Sequence, residues 1–515
     1  MVSAGQPNGS ALTKSLARPD SDARDRLAAA EETAAELSED LQIEPPLSEQ
    51  IQEKEVGPAG RRRISAVGEG EPTPSAIRNK VVQLAGPALV EMMFSSLIQV
   101  TNMIMVGHVG PAAVAAVGLT NQPVFFALSA FQSMDVGATA LVARFIGSKK
   151  YDEASNVTRQ ILILNVLLAL VLSVVGYYSA RDVLIFMGAE PDVLAEGTRY
   201  FQIIMMTLSF NTLSMSLTSA LRGAGDTRTP MRVNMVANIL VVVLGYPLIY
   251  GKLGFPAMGV LGAAVAAGAA RFIAFLQVLR VVTSGRFVIK IGLRDKWHWR
   301  GDLIKRMIRI GLPSAGEQFV MRGGVALFTR AVAGLGTEIL AAHQIALNVL
   351  SLSFMPGQGF AIAATALVGQ NLGAKRPDWA EKCGWETRRL GLYVASMMGV
   401  VFFVGAPLLM RIYTNDAVVI AAGAVALRIT ALAQPGQSTA FVLAGGLRGA
   451  GDTTWPLVAT FIGVWGFRLA LGLIFVEFFH WGLPGAWVAM FIDQQVRSLV
   501  IYNRFKSGKW KLARA

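Results

Sequence analysis

The sequence predicts an all-α integral membrane protein with twelve transmembrane helices, arranged as two parallel six-helix repeats with pseudo-two-fold symmetry. Three observations predict it. Of 515 residues, 53% are hydrophobic and only 16% charged, with mean hydropathy +0.48, where ordinary soluble domains carry about 25% charged residues. From about Ile77 onward, long apolar runs alternate with short Gly/Pro or charged breaks. Finally, the chain repeats itself at a constant offset of 226 residues, as in Leu221-Arg-Gly-Ala-Gly-Asp-Thr227 and Leu447-Arg-Gly-Ala-Gly-Asp-Thr453.

The composition also excludes several classes. Net charge +13 and pI near 9.9 raise nucleic acid as a partner, but the basic residues are not gathered in polar segments interleaved with aromatics. A single cysteine, Cys383, rules out a disulfide framework. Four scattered histidines lack metal-ligand spacing, and no phosphate loop of the form G-x-x-x-x-G-K-[ST] is present. No nucleic acid, metal or bound cofactor is therefore expected, and no enzyme. A β-barrel is excluded by the lack of period-2 alternation.

Residues 1–75 hold 8 Lys+Arg against 14 Asp+Glu, whereas the remainder holds 39 against 20. This first segment is rich in Glu, Ala, Ser and Pro without apolar periodicity, and reads as an acidic disordered cytoplasmic tail. It lacks the features of a cleaved secretory signal. A hydrocarbon core about 30 Å thick needs about 20 apolar residues in a helix. Segments meeting that length fall at 80–106, 113–143, 157–178, 194–221, 230–250 and 257–282 in a first lobe spanning 76–282. A second lobe, 304–505, contributes 304–331, 338–369, 386–409, 417–446, 456–478 and 483–503. Between them, 283–303 reads as a basic cytoplasmic linker whose Trp297 and Trp299 suit the membrane interface, and 506–515 as a basic C-terminus.

Lys and Arg fall in alternate breaks: at 144, 149, 150 and 159, at 222, 228 and 232, within 280–309, within 375–389, at 448 and within 504–514. The other breaks hold at most Arg181, Arg199, Lys252, Arg330, Arg411 and Arg428. By the positive-inside rule both termini are cytoplasmic in the plasma (inner) membrane. Even helix number in each half makes the repeats parallel, about an axis along the membrane normal, with substrate sites expected between them near the midplane. Each Gly-Ala-Gly-Asp-Thr turn ends one helix with a left-handed glycine and caps the next, with Pro230 or Pro456 near its first turn.

These paired turns, Met105-Val-Gly-His-Val-Gly110, Ala341-Ala-His-Gln-Ile345 and Ala364-Thr-Ala-Leu-Val-Gly-Gln-Asn-Leu-Gly-Ala374 resemble the multidrug and toxic compound extrusion (MATE) family over about residues 77–505. The resemblance implies an antiporter that exports organic, often cationic, solutes in exchange for H⁺ or Na⁺, and the chain is expected to work by alternating access as a monomer. A flippase for a lipid-linked precursor, or a non-transporting membrane scaffold or enzyme, are the alternative readings.

Charge inside the bilayer costs about 2.5–3.5 kcal/mol on insertion scales, so intramembrane polar residues are the functional candidates. Glu91 and Glu317 occupy equivalent positions, each one turn after a proline, Pro87 or Pro313. Facing repeats would bring both carboxylates to one central cavity, where proton and cationic solute compete for them; otherwise each hydrogen-bonds within its own bundle. Asn102 lies three turns beyond Glu91 on the same face. In many bacterial relatives the matching position resembles an Asp used for cation coupling; Asn cannot titrate, so it either ligates Na⁺ through its amide oxygen or simply packs, and Glu91 takes over the coupling. Asp135 is a further coupling candidate or a helix-end hydrogen-bonding group. Gln318 and Arg322 lie near Glu317, with Arg322 either lining the cavity or meeting a carboxylate on another helix. His343 reads as an interhelical hydrogen-bonding or cavity residue, and Asp493 with Arg497 as a structural i,i+4 pair. Met92, Met93, Met205, Met206 and Met321 either form an adaptable contact surface or pack the core.

Overall fold

The computed structural model describes residues 73–285, 287–292 and 297–513. The acidic segment lies outside the described residues up to position 72, as do 286, 293–296 and 514–515. The first lobe contains α1 (Pro74–Gly107), α2 (Pro111–Gly147), α3 (Tyr151–Tyr178), α4 (Ala180–Phe186), α5 (Pro191–Gly223), α6 (Arg228–Tyr250) and α7 (Val260–Thr283). The second contains α8 (Gly301–Ala333), α9 (Thr337–Gly373), α10 (Pro377–Arg411), α11 (Ala417–Gly449), α12 (Thr454–Phe478) and α13 (Gly482–Lys506).

Among the described residues, ten of these helices are long and apolar enough to cross a membrane. The charged helices α8 and α13, repeat equivalents of α1 and α7, complete the twelve, with α4 a short extra turn between α3 and α5. The bounds repeat residue for residue: Pro111–Gly147 becomes Thr337–Gly373, and Pro191–Gly223 becomes Ala417–Gly449, each shifted by 226. Even backbone exceptions repeat. Lys149 and Lys375 take φ 59° and 58°, and Gly225 and Gly451 in the paired turns take φ 88° and 82°.

Local chemistry explains the boundaries. Proline stands in the first turn of α1, α2, α5 and α10, where its missing N–H costs nothing. Asp416 caps α11 by accepting from Val418 and Val419 N–H at 2.8 and 3.2 Å. In the first Gly-Ala-Gly-Asp-Thr turn, Asp226 accepts from Arg228 and Thr229 N–H, both at 3.0 Å, as the sequence predicts. The second turn differs, because Asp452 turns instead to Arg504 at 2.8 Å. The α10 helix begins nine residues before its predicted start at 386. Its charged first turns are amphipathic, burying Ala380, Cys383, Gly384 and Thr387 while the charges face outward, so a count of charges alone misreads them as loop.

The lobes are joined by α2 with α8 and α9, and by α1 with α9. Small residues set how closely they meet. A Cβ on Gly147 would run into the Gln370 carbonyl, and one on Gly373 into the Arg144 carbonyl; Gly137 and Gly311 face the Met307 and Ser133 carbonyls in the same way. All of these lie toward the end that carries the Lys/Arg-rich turns. There the two lobes also exchange hydrogen bonds. The Arg144 guanidinium donates to Ala450 O at 3.0 Å, and its repeat equivalent Gln370 donates to Gly223 O at 3.0 Å. Arg144 also donates to Ala513 O at 2.6 Å. That C-terminal segment is anchored on the second lobe by Trp510, fully buried and stacked on Phe505 with centroids 4.6 Å apart. Lys511 pairs with Glu381 at 2.6 Å, which holds its ammonium above the ordinary lysine range. Midway along the seam, Phe126 stacks on Phe319 at 6.1 Å and the Arg322 guanidinium covers Phe125 at 5.5 Å. Beyond that level α1 exposes Leu97, Val100 and Ile104.

Gly147→Leu should force the seam apart at the basic end, at a cost of about 1–3 kcal/mol. Spin labels on Ser148 and Ala374, in a Cys383→Ala background, should then report a longer and broader distance than in the parent; an unchanged distance would contradict the close approach.

Candidate functional site

The site grows from two kinked helices. Pro87 and Pro313 each delete a helical N–H one turn before Glu91 and Glu317. Neither glutamate is left to the lipid. In the first lobe, the Arg222 guanidinium on the last turn of α5 meets Glu91 Oε1 at 2.5 Å, and Asn234 of α6 donates to the same oxygen at 2.7 Å. One turn along, Asn238 donates to Ser95 Oγ at 2.8 Å. In the second lobe, the Arg448 guanidinium of α11 donates to both Glu317 carboxylate oxygens, at 2.7 and 2.8 Å. Both ion pairs span 131 residues, another expression of the repeat.

Of the two expectations for Glu91 and Glu317, the contacts are those of side chains bonded within their own bundles. Each is neutralised within its own lobe, because a carboxylate desolvated between helices is stabilised most by the nearest guanidinium. The residues missed by sequence reasoning are therefore Arg222 and Arg448, read there as loop charges. Their signal was present: both glutamates and both arginines recur at offset 226.

Beside Glu317 lies a cavity of about 50 Å³, lined among others by Met321, Gln437, Arg448, Thr460, Gln494 and Arg497. It is large enough for a few water molecules. Behind it, Asp493 is fully buried and paired not only with Arg497 at 2.8 Å but also with Arg468 at 2.5 Å. Arg468 sits on the wide-turn stretch Phe461–Leu469 of α12, so this buried triad staples α12 to α13.

The other predicted residues scatter. Asn102 is half-buried, its Oδ1 without a partner among the described residues. Eleven residues at 1.5 Å each put it about 16 Å along the helix from Glu91, too far to act as one site. Gln318 is half-buried on α8, and Arg322 crosses the seam onto Phe125 rather than meeting a carboxylate. His343 is fully buried inside the second lobe, where its Nδ1 accepts from the Trp487 indole at 3.2 Å, an interhelical bond between α9 and α13. Asp135 is 4% exposed and faces α3 and α5, where Asn165 and Ser216 donate to its Oδ1 at 3.3 and 2.8 Å. Of the methionines, Met205 is core while Met93 and Met206 are exposed and Met321 lines the cavity.

The geometry is that of two equivalent lobes, each with a buried Glu–Arg pair, joined at one end. The MatE family profile matches twice, over residues 87–247 and 313–474, the two matches starting 226 apart. The chain belongs to the MatE family. Its members are transporters, and this one is a multi-pass membrane protein. It is 33% identical over 84% of its length, and 93% of the relative's, to a protein of Thermotoga maritima (strain ATCC 43589 / DSM 3109 / JCM 10099 / NBRC 100826 / MSB8) named probable multidrug resistance protein NorM. It is 26% identical to the uncharacterized transporter YisQ of Bacillus subtilis (strain 168), over 83% of this chain and 94% of that one. Among solved structures, it shares its fold with one described as the outward-facing conformation of a multidrug resistance MATE family transporter of the MOP superfamily. The TM-score is 0.78 at 23% identity, covering 84% of this chain and 97% of that one.

Arg448→Leu leaves Glu317 without its cation and should destabilise the protein by about 3 kcal/mol, the lower end for a buried pair because both side chains keep some exposure. Glu317→Leu combined with Arg448→Leu should recover most of that loss. Thermal unfolding of the single and double variants in detergent measures both.

Proposed function

We propose that this transporter exports organic, chiefly cationic, solutes in exchange for H⁺ or Na⁺, by alternating access of its two lobes, with both termini cytoplasmic. The observation that carries the reading is the coupling of each Glu–Arg pair to the seam. Arg222 holds Glu91, and the next carbonyl, Gly223 O, is the one that Gln370 of the other lobe takes. Arg448 holds Glu317, and two residues on, Ala450 O is the one that Arg144 takes. A cation or proton that neutralises a glutamate releases its arginine, and the release is felt one or two residues away at the bond closing the lobes together.

The basic end fits the cytoplasmic face by the positive-inside rule. On this reading the end closed by Gly147, Gly373, Arg144 and Gln370 is the cytoplasmic one. The aromatic side chains midway along the seam, Phe125, Phe126 and Phe319, are exposed and give an organic solute an apolar surface. In the exchange cycle, proton or sodium enters from outside, competes for a glutamate, and the solute leaves. The family relationship supports the class of cargo, since a relative at 33% identity bears a multidrug resistance name.

Inverted membrane vesicles carrying the protein should accumulate a fluorescent lipophilic cation when a proton or a sodium gradient is imposed, each tested separately. Glu317→Gln should cut gradient-driven accumulation about ten-fold, the effect of losing a contact worth about 1.4 kcal/mol. Uptake in the variant equal to the parent removes Glu317 from the mechanism, and no gradient-dependent uptake of any solute overturns export itself.

A further inference from the structure

The first lobe holds a second buried carboxylate outside the Glu–Arg pairs. Asp135 on α2 is held by neutral groups: Asn165 Nδ2 of α3 at 3.3 Å and Ser216 Oγ of α5 at 2.8 Å, both on Oδ1. Asn165 and Ser216 are fully buried and touch each other at 2.5 Å. Two acceptors in this cluster, Asp135 Oδ2 and Asn165 Oδ1, are buried without a hydrogen-bond partner among the described residues, and the Ser219 side chain of α5 also faces Asp135. The charged group that faces it is Arg222 of α5, already committed to Glu91 of α1. From α3 comes only the amide of Asn165, and α8 meets the neighbouring residues through backbone, at Ser133 and Gly137.

The repeat shows that the packing does not require these groups. At offset 226, Asp135, Asn165 and Ser216 become Ala361, Gly391 and Val442, so the corresponding place in the second lobe carries no carboxylate, and Gly391 faces only the Ser438 hydroxyl and apolar groups. The remaining framework is kept: Thr139 donates to Ser219 O at 3.2 Å, and its equivalent Thr365 to Gly445 O at 2.8 Å. An unpaired buried carboxylate costs several kcal/mol, and the second lobe shows an uncharged solution for the same helix contact. A function has to account for the difference.

We propose that Asp135, Asn165 and Ser216 form a proton-holding site peculiar to the first lobe, with the proton on Asp135 Oδ2. A proton there removes the buried charge and supplies the donor that the cluster lacks. The Asn165 amide, whose nitrogen already holds the other carboxyl oxygen, brings the acceptor, so that one O–H bond formed or broken is the only chemical change. The position links the site to the seam. Ser133 and Gly137, two residues to either side of Asp135, are where α2 lies backbone-to-backbone against α8 of the other lobe. The inference deepens the export reading by placing a proton-carrying residue beside the moving seam, but its test needs no solute and so can fail separately.

Infrared difference spectra of the full-length protein in lipid, between acidic and alkaline buffer, read the carbonyl stretch of protonated carboxylic acids directly. One deuterium-sensitive band should be present in the parent, in Glu91→Gln and in Glu317→Gln, and absent from Asp135→Asn. Ser216→Ala, which keeps the acid but removes one donor to Oδ1, should move the pH at which that band appears by about one unit, ten-fold in proton affinity. This second variant decides the matter if Asp135→Asn fails to fold. A full set of bands in Asp135→Asn, an unmoved band in Ser216→Ala, or a band that sodium abolishes at constant pH would each overturn the assignment.

Discussion

A carboxylate carried into a hydrocarbon layer must be paired or protonated, and the placement of Glu91 and Glu317 follows from that constraint. Both glutamates sit behind a helix-kinking proline, and both are answered by an arginine at the end of a helix in the same lobe. The arginines in turn stand at the threshold of the tight glycine turns that the opposite lobe grips through Gln370 and Arg144. One ion pair thus ties together the kink, the helix end, the turn and the seam. The repeated motif that ends in Gly-Asp-Thr is a joint between a lobe's charge and the contact of the two lobes, as well as a helix stop.

Internal symmetry is both the architecture and a built-in control. Helix bounds, left-handed lysines, close glycine contacts and Glu–Arg spacings all recur at the same offset. The departures then acquire meaning. Asp226 caps its helix while Asp452 reaches Arg504. Asn234 supports Glu91, whereas Thr460 stands at the corresponding place beside the cavity of the second lobe. Arg468 and Asp493 are buried between α12 and α13. The lobes share a frame and differ in their polar interiors, so the two carboxylates need not titrate or bind alike.

Much of the frame was legible in the residues. Twelve apolar runs, the two repeats and the capping role of Gly225, Asp226 and Gly451 could all be read, because length, hydropathy and turn chemistry are local. The errors arose where sign and position of charge compete. The first turns of α10 and the last turns of α5 and α11 carry Lys or Arg and so read as loops in the sequence. Yet a helix that exposes one face at the membrane edge tolerates charge there, and Arg222 and Arg448 turn back inward to a buried acid. Glu91 and Glu317 were recognisable as candidates from their rarity, whereas their partners were not, since common residues near a turn attract no notice.

By itself, then, the sequence determined the solvent in which the chain folds, the number and order of its helices and the two-fold plan, because each depends on the burial of apolar residues along short stretches. Only the tertiary structure decided which polar groups meet. The Glu–Arg pairs join residues 131 apart, the seam bonds join residues 147 and 306 apart, and Asp135 meets Ser216 across 81. Such distances in the chain carry no local signal, and the choice among partners is made by how closely glycine lets the helices approach and by the cost of leaving a buried charge alone.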